Sequence, residues 1–484
     1  MSAVLPLLAG VLAAGSQAVL VVGTLADPSS LAPHRASDLV SAAIVGNVCD
    51  TLVRQRAGSR PEAALATSWA TADGRSWTFT LREGVAFQDG AAFDADAVLA
   101  NVEHLRRAHA FRGRAQRLGP HAVTLVLEKP NAALLATLSQ PFFALQSPRA
   151  LEADRPVGTG PFRLASVGRG VVELRANPQH WAGPPRLEGL VFRRYASEDA
   201  LLAALHAGEV DVTAALGQDR VAELRADPSL TLDSKTGLNV VYLAMNNARP
   251  PFDDARVRSA ITRALDRRAL VDAMLGGHGE PARNPLPPSL WGYATETTPL
   301  RRDRTAARRL LAEAGHPNGL TATLMTADAP RPYLDEPRRL ATLLQEQLGE
   351  VGIRLEIQPV AAWTDYVSRG AQGEYELAVF GWQADSTDPN DFLAALLGSE
   401  SIGSSNRSRY ESAAMDALLK RGRLGGGPQE RLQAYREAQA LFQEDMPLAP
   451  LYHVSVFTAH RRVVQGLALG PTGILRYDKT WKSE

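Results

Sequence analysis

The 484-residue chain has a single cysteine, Cys49. One thiol excludes an internal disulfide framework and any paired-cysteine metal or redox motif. Its surroundings, "IVGNVCDTLV", read as an apolar helix face, where a free cysteine packs as a small hydrophobe. An excess of charge is also missing. Lys and Arg number 52 and so do Asp and Glu, so no global field marks the chain for nucleic acid or an anionic membrane. The basic run "HLRRAHAFRGRAQR" (104–117) therefore reads as a solvated helix face. Motifs of common chemistry are absent too. There is no G-x-x-x-x-G-K-[ST] phosphate loop and no H-E-x-x-H zinc helix. "GTGPF" runs into a strand rather than a helix, and "GSESIG" is no nucleophile elbow. His104 and His109 stand five apart, off a shared helix face, and no metal site is expected of them.

Long apolar runs are missing beyond the start, so no spanning helix is expected in the rest of the chain. The opening "MSAVLPLLAGVLAAGSQA" has a short apolar segment, then small residues and an A-x-A-like end. It reads as an export signal over 1–18, with a mature chain from about Val19 in the periplasm. Ser16 stands where a lipoprotein would carry its cysteine, so no lipid anchor is expected.

What is present is a long alternation of strand and helix patterns. The length argues against one core. "SWTFTL" alternates Trp77, Phe79 and Leu81 against Thr78 and Thr80, a half-buried strand. Asp94 is placed to cap a helix over 93–109. "GLNVVYLAMN" (237–246) is a strongly apolar strand, and 250–275 reads as helix after Pro250-Pro251. From 304 the order becomes helix, "LTATLMTA", helix, "IRLEIQPV", short helix, "YELAVFG", which suggests a mainly parallel or mixed sheet. "GRLGGGPQE" (422–430) is a flexible Gly-rich stretch, and "APLYHVSVFTAHR" returns as strand.

Several stretches, in order along the chain, carry a family resemblance: "PEAALATSWATADGRSWTFTLREGVAFQDG" (61–90), "VGTGPFRL" (157–164), "NPQHWAG" (177–183), "LHAGEVDV" (205–212), "MNNARPPFDDARVRSAITRALDRRALVDAML" (245–275) and "NPLPPSLWGY" (284–293). Together they resemble the solute-binding proteins of bacterial ABC importers, family 5, the dipeptide, oligopeptide and nickel cluster, and lean to its dipeptide branch. The resemblance implies an α/β, two-lobe periplasmic-binding-protein fold of type II in the large cluster C form. It implies an extra subdomain in the first lobe, at about 37–150, and a two-strand hinge. The first lobe would take 19–245 and 457–484, the second 246–456, with crossings near 245–250 and 450–457. It further implies a monomer that binds a short peptide, works with a membrane permease and ATPase subunits, and has no cofactor, metal or catalytic residues.

The same resemblance gives a meaning to "GWQADSTDPNDF" (381–392). In the peptide-binding branch an aspartate after Gly-Trp holds the ligand ammonium, which here is Asp385 behind Gly381 and Trp382. An arginine in an Arg-Pro-Tyr stretch holds the ligand carboxylate, which here is Arg331 in "PRPYLDEP". Trp363 and Trp382 correspond to tryptophans beside the peptide. The chemistry is consistent by itself. A dipeptide separates its charged ends by roughly 5–7 Å, so one fixed Asp and one fixed Arg test both charge and length. A guanidinium can take a carboxylate bidentately, and flat aromatic walls accept varied side chains. Turn bracing is the alternative for Asp385, and turn or helix-start roles suit Asp388 and Asp391. A nickel-chelate receptor is the alternative within the fold, and an exported hydrolase a remote one outside it.

Overall fold

In the computed structural model the described residues are 19–55, 60–384, 386–424 and 427–483. The expected export segment lies outside them, as do positions 425 and 426 of the Gly-rich stretch. Twelve strands form one hydrogen-bonded array with two halves that share one strand, Leu448–Arg461. One half orders Ile353–Val360, Leu320–Ala327, Leu377–Gln383 and Asn239–Met245 up to that strand. The other continues from it through Val212–Thr213, Val19–Thr24, Gly189–Arg194 and Val171–Ala176 to Phe162–Gly168. A separate four-stranded sheet, Ala66–Thr71, Ser76–Leu81, Ala122–Leu127 and Gly113–Gly119, packs on the helix Ala95–Arg107. Asp94 caps that helix through the Ala97 amide at 3.0 Å, and Trp77, Phe79 and Leu81 point into the core as the alternation requires.

The strand Asn239–Met245 explains why its sequence is apolar throughout. All seven residues are buried. Val241, Leu243 and Met245 enter one core with the helices Ala255–Ala264, Arg267–Leu275 and Pro337–Gly349. Val240, Tyr242 and Ala244 enter another with Phe380, Tyr366, Phe392, Tyr435 and Phe442. A strand covered on both faces loses the alternation of a half-exposed one. This strand already belongs to the second half of the array, pairing with Leu377–Gln383 along its whole length. Pairing changes from one half to the other at Gly237 and Leu238, between Leu230–Thr236 and Asn239–Met245 and ahead of the expected 245–250. The return crossing lies inside Leu448–Arg461. Its residues 448–452 pair with Asn239–Met245, and its residues 455–461 with Leu230–Thr236. The helix read over 250–275 is two helices, because Asp266 turns out of the first and caps the second at Ala269.

At the crossing a side chain replaces the regular ladder. The Asn239 amide donates to the Val454 carbonyl at 3.0 Å and accepts from the Val454 N–H at 2.7 Å. The Gly237 N–H donates to the same carbonyl at 3.0 Å. A Cβ at Gly237 would stand 2.6 Å from the Asn239 amide nitrogen and 2.9 Å from the Val454 oxygen, so a side chain there would break the pairing. His453 is buried beside it, with Nδ1 2.6 Å from the Asn239 carbonyl.

The end of the chain is tied to the beginning. Tyr477 N–H donates to Asn47 Oδ1 at 2.9 Å, and Arg476 meets Asp50 at 2.9 Å. Asp50 is buried and also accepts from Trp181 at 2.9 Å and Thr159 at 3.1 Å. Burial alone would raise its carboxyl. The His180 imidazole, 3.5 Å away, and the Arg476 charge outweigh that and hold it below the usual carboxylate range. Cys49 beside it is buried, with burial pushing the thiol up, so it is inert packing as expected.

Burial pushes the His453 imidazole down to about 4. An unfolded histidine titrates near 6.5, so the unfolded chain takes the proton first. Stability from this group is therefore full above about pH 6.5 and is lost as pH falls to about 4. An NMR titration should find His453 neutral down to that range. A midpoint near 6.5 would mean that the ring is hydrated and the crossing open.

Candidate functional site

The strands Leu320–Ala327, Ile353–Val360 and Leu377–Gln383 run parallel, so their carboxyl ends open on one edge. Such an edge is where open α/β sheets bind ligands. The chain delivers the expected residues to it from three separate strands. Arg331 follows Ala327 by four residues and Trp363 follows Val360 by three, while Gly381 and Trp382 are near the end of the third strand. Asp385 lies outside the described residues, between Ala384 and Ser386, both buried.

Arg331 sits in a tight loop closed by reciprocal backbone bonds with Leu334, at 2.8 and 2.9 Å. Its guanidinium carbon lies 3.3 Å from the centre of the Trp363 ring. The guanidinium thus lies over the face of the indole, a contact suited to its flat, delocalised charge. Its Nε is buried without a hydrogen-bond partner, and among the described residues no carboxylate pairs with it. Trp363 opens the helix Trp363–Gln372 and continues as an aromatic row: Trp363 to Tyr366 at 5.6 Å, Tyr366 to Phe380 at 4.8 Å. The row holds Trp363 from below, so the arginine stacked on it is held as well.

Gly381 has a local reason that the sequence alone did not display. A Cβ there would stand 2.1 Å from the ring of Tyr333. Glycine lets that ring lie against the strand, two residues after Arg331. Tyr333 is thus part of the arrangement, although it was not among the residues expected. Burial raises its phenol, and the charges of Arg331 and Arg407 work against that rise. The adjacent Arg-Pro-Tyr was the available signal, but the contact with Gly381 spans 48 positions and is not visible locally.

Trp382 donates its indole N–H to the Asp391 carbonyl at 2.7 Å, which ties the strand end to the start of the helix Asn390–Leu397. Ser386 bonds the Asp391 carboxylate. Asp388 is buried. It accepts from Arg431 at 2.7 and 2.8 Å and from the Asn390 N–H at 3.0 Å. Burial opposes the charge on Arg431, and Asp388 more than offsets it. Both aspartates therefore brace the 386–391 loop, as their positions suggested, and neither is free to meet a ligand. Arg431 also lies 5.1 Å from the centre of the Trp291 ring, and Arg60, from the other half of the molecule, lies 5.8 Å from it. No group of three or more His, Cys, Asp or Glu that could hold a metal occurs among the described residues.

Four similarities bear on this arrangement. Residues 60–404 match the family described as bacterial extracellular solute-binding proteins, family 5 Middle. The chain is 31% identical over 468 residues to heme-binding protein A of Haemophilus influenzae, covering 88% of this chain and 85% of that protein. Among solved structures, it superposes with a TM-score of 0.68 on a dipeptide-binding protein from Pseudoalteromonas sp. SM9913 in complex with Met-Leu, at 28% identity, covering 96% of this chain and all of that one. The fold also matches MppA, a periplasmic murein tripeptide binding protein in an unliganded open form, with a TM-score of 0.88 at 21% identity, over 97% of this chain and 98% of that one. With a shared strand joining two separately cored halves, and with a family match over most of its length, the chain belongs to family 5 of the bacterial extracellular solute-binding proteins, the periplasmic binding components of ABC transporters.

Proposed function

We propose that this protein captures short zwitterionic peptides, dipeptides first among them, and presents them to the permease and ATPase subunits of an importer. The observation that carries the reading is Arg331: a guanidinium held flat on Trp363, with no carboxylate partner among the described residues, at the edge where three parallel strands end. A buried Nε without a partner costs free energy unless something meets it. A peptide carboxylate supplies that partner, and Asp385, after Gly381-Trp382, is assigned the ammonium. The likeness to a dipeptide-binding protein with Met-Leu supports the same choice. A tetrapyrrole is the second reading, favoured by the similarity to a protein named for heme binding. It offers carboxylates but no ammonium, so Asp385 separates the two readings.

The charge pairs give the first test. Removing one partner of a buried, hydrogen-bonded charge pair costs about 2–5 kcal/mol, and each ~1.4 kcal/mol is tenfold in Kd. Asp385→Asn should therefore weaken a free dipeptide by roughly 30-fold or more, and its N-acetylated form far less. Arg331→Gln should show the mirror pattern, with the C-terminal amide as the insensitive ligand. Calorimetry on folded variants reads both. If Asp385→Asn leaves dipeptide affinity untouched while haemin binds, the peptide reading is lost and the tetrapyrrole stands.

Closure is the second part of the proposal. The chain superposes better on the open, unliganded structure than on the peptide complex, at nearly equal coverage, which supports lobes standing apart here. We assign the hinge to Gly237–Leu238 and to the stretch around His453–Ser455, where pairing passes between halves. A ligand closes the lobes only if it binds the closed form better than the open one. Small-angle scattering should show a smaller radius of gyration with saturating dipeptide, and an unchanged radius would remove the moving clamp.

A further inference from the structure

We infer that Arg60 and Trp291 form a latch between the two halves of the molecule, which holds the open form and sets how readily a ligand closes it. The inference rests on the closure proposed above and not on which solute is bound. Arg60 stands in the loop between Val53–Arg54 and Glu62–Ala63, whose neighbours Leu52, Val53 and Leu65 lie in the core of the four-stranded sheet. Trp291 packs against a core of the other half, edge to face with Tyr435 at 5.9 Å. The Arg60 guanidinium carbon lies 5.8 Å from the centre of that indole, inside the range of a cation–π contact. Arg431 lies 5.1 Å from the same ring, but it is bonded to Asp388 and travels with that half. The Arg60 contact therefore changes when the halves rotate, and the Arg431 contact does not. Its place ties the latch to the site. Asp388, which Arg431 and Tyr435 both reach, braces the 386–391 loop, and that loop follows the strand end that bears Gly381 and Trp382. A Cβ on Gly292, next to Trp291, would stand 3.0 Å from Pro389 of the same loop. A cation of the first half thus meets the support of the candidate site. The better superposition on the unliganded open structure than on the peptide complex assigns the contact to the open form.

A cation–π contact at a partly exposed site is worth about two- to fivefold in an equilibrium. A ligand that binds the closed form has an apparent Kd equal to its intrinsic Kd divided by the closed fraction. Arg60→Gln should therefore raise the closed fraction of the free protein about two- to fivefold, and lower the Kd of both Ala-Ala and Ala-Phe by the same factor. Calorimetry reads the affinities. Dyes on Glu128→Cys and Glu346→Cys, one exposed position in each half, read the closed fraction by single-molecule energy transfer, and the buried Cys49 stays unlabelled. In a Trp291→Leu background, Arg60→Gln should change neither quantity. Unchanged or weaker binding in Arg60→Gln, or the same gain with Trp291 replaced, would overturn the latch and leave the peptide reading standing. If the wild type binds neither peptide, the peptide reading is lost and the dyes alone decide: a closed fraction that Arg60→Gln leaves unchanged overturns the latch.

Discussion

The architecture depends on how a chain passes from one packed body to another without leaving polar backbone exposed in the gap. Asn239 does this with its side chain. Its amide both donates to and accepts from Val454, reproducing the two-way exchange of a ladder pair where the ladder itself is interrupted. Gly237 approaches the same carbonyl because it has no Cβ. Two strands thus cross side by side with their hydrogen bonds met, and the register shift at Val241/Tyr242 is absorbed just beyond. A crossing built this way is narrow. Its few unpaired dihedral angles are what the proposed hinge would use.

The site follows from the same sheet. Its parallel strands end together, so loops distant in sequence arrive at one edge, and the side chains there are held by something behind them. Arg331 rests on Trp363, which rests on Tyr366. Tyr333 rests on Gly381. The loop 386–391 is braced by Asp388 with Arg431 and by Asp391 with Ser386. Three aspartates stand within seven positions of the sequence, yet the two that are described have intramolecular partners. Carboxylates already committed to structure raise the cost of unfolding the loop without competing for the ligand.

Much of this was legible because it is local. Period-two alternation marked Ser76–Leu81, an aspartate marked the helix at Ala95, and the strand–helix alternation after 304 marked the parallel sheet. Arg331, Trp363, Gly381 and Trp382 carry recognisable neighbours, and the structure brings them to one edge. What escaped was nonlocal. Where pairing passes between the halves is not visible locally, because a doubly buried strand and a crossing strand are both simply apolar; only the partner strand tells them apart. The break at Leu265–Asp266 escaped because the capping aspartate stands inside an otherwise helical pattern. Tyr333 escaped because its support is a missing Cβ far along the chain.

The contacts of the last segment impose an order on synthesis. Arg476 closes onto Asp50 across 426 positions, and Tyr477 onto Asn47 across 430. At about 5–20 residues per second, the partner of Asp50 is made roughly 20–85 s after the aspartate itself. Through that interval the buried carboxylate lacks its cation, and the first body lacks the strand that joins it to the second. Those contacts of the N-terminal body therefore wait for residues made more than 400 positions later. Contacts of such separation are slow to form, so this closure is expected among the late events of folding.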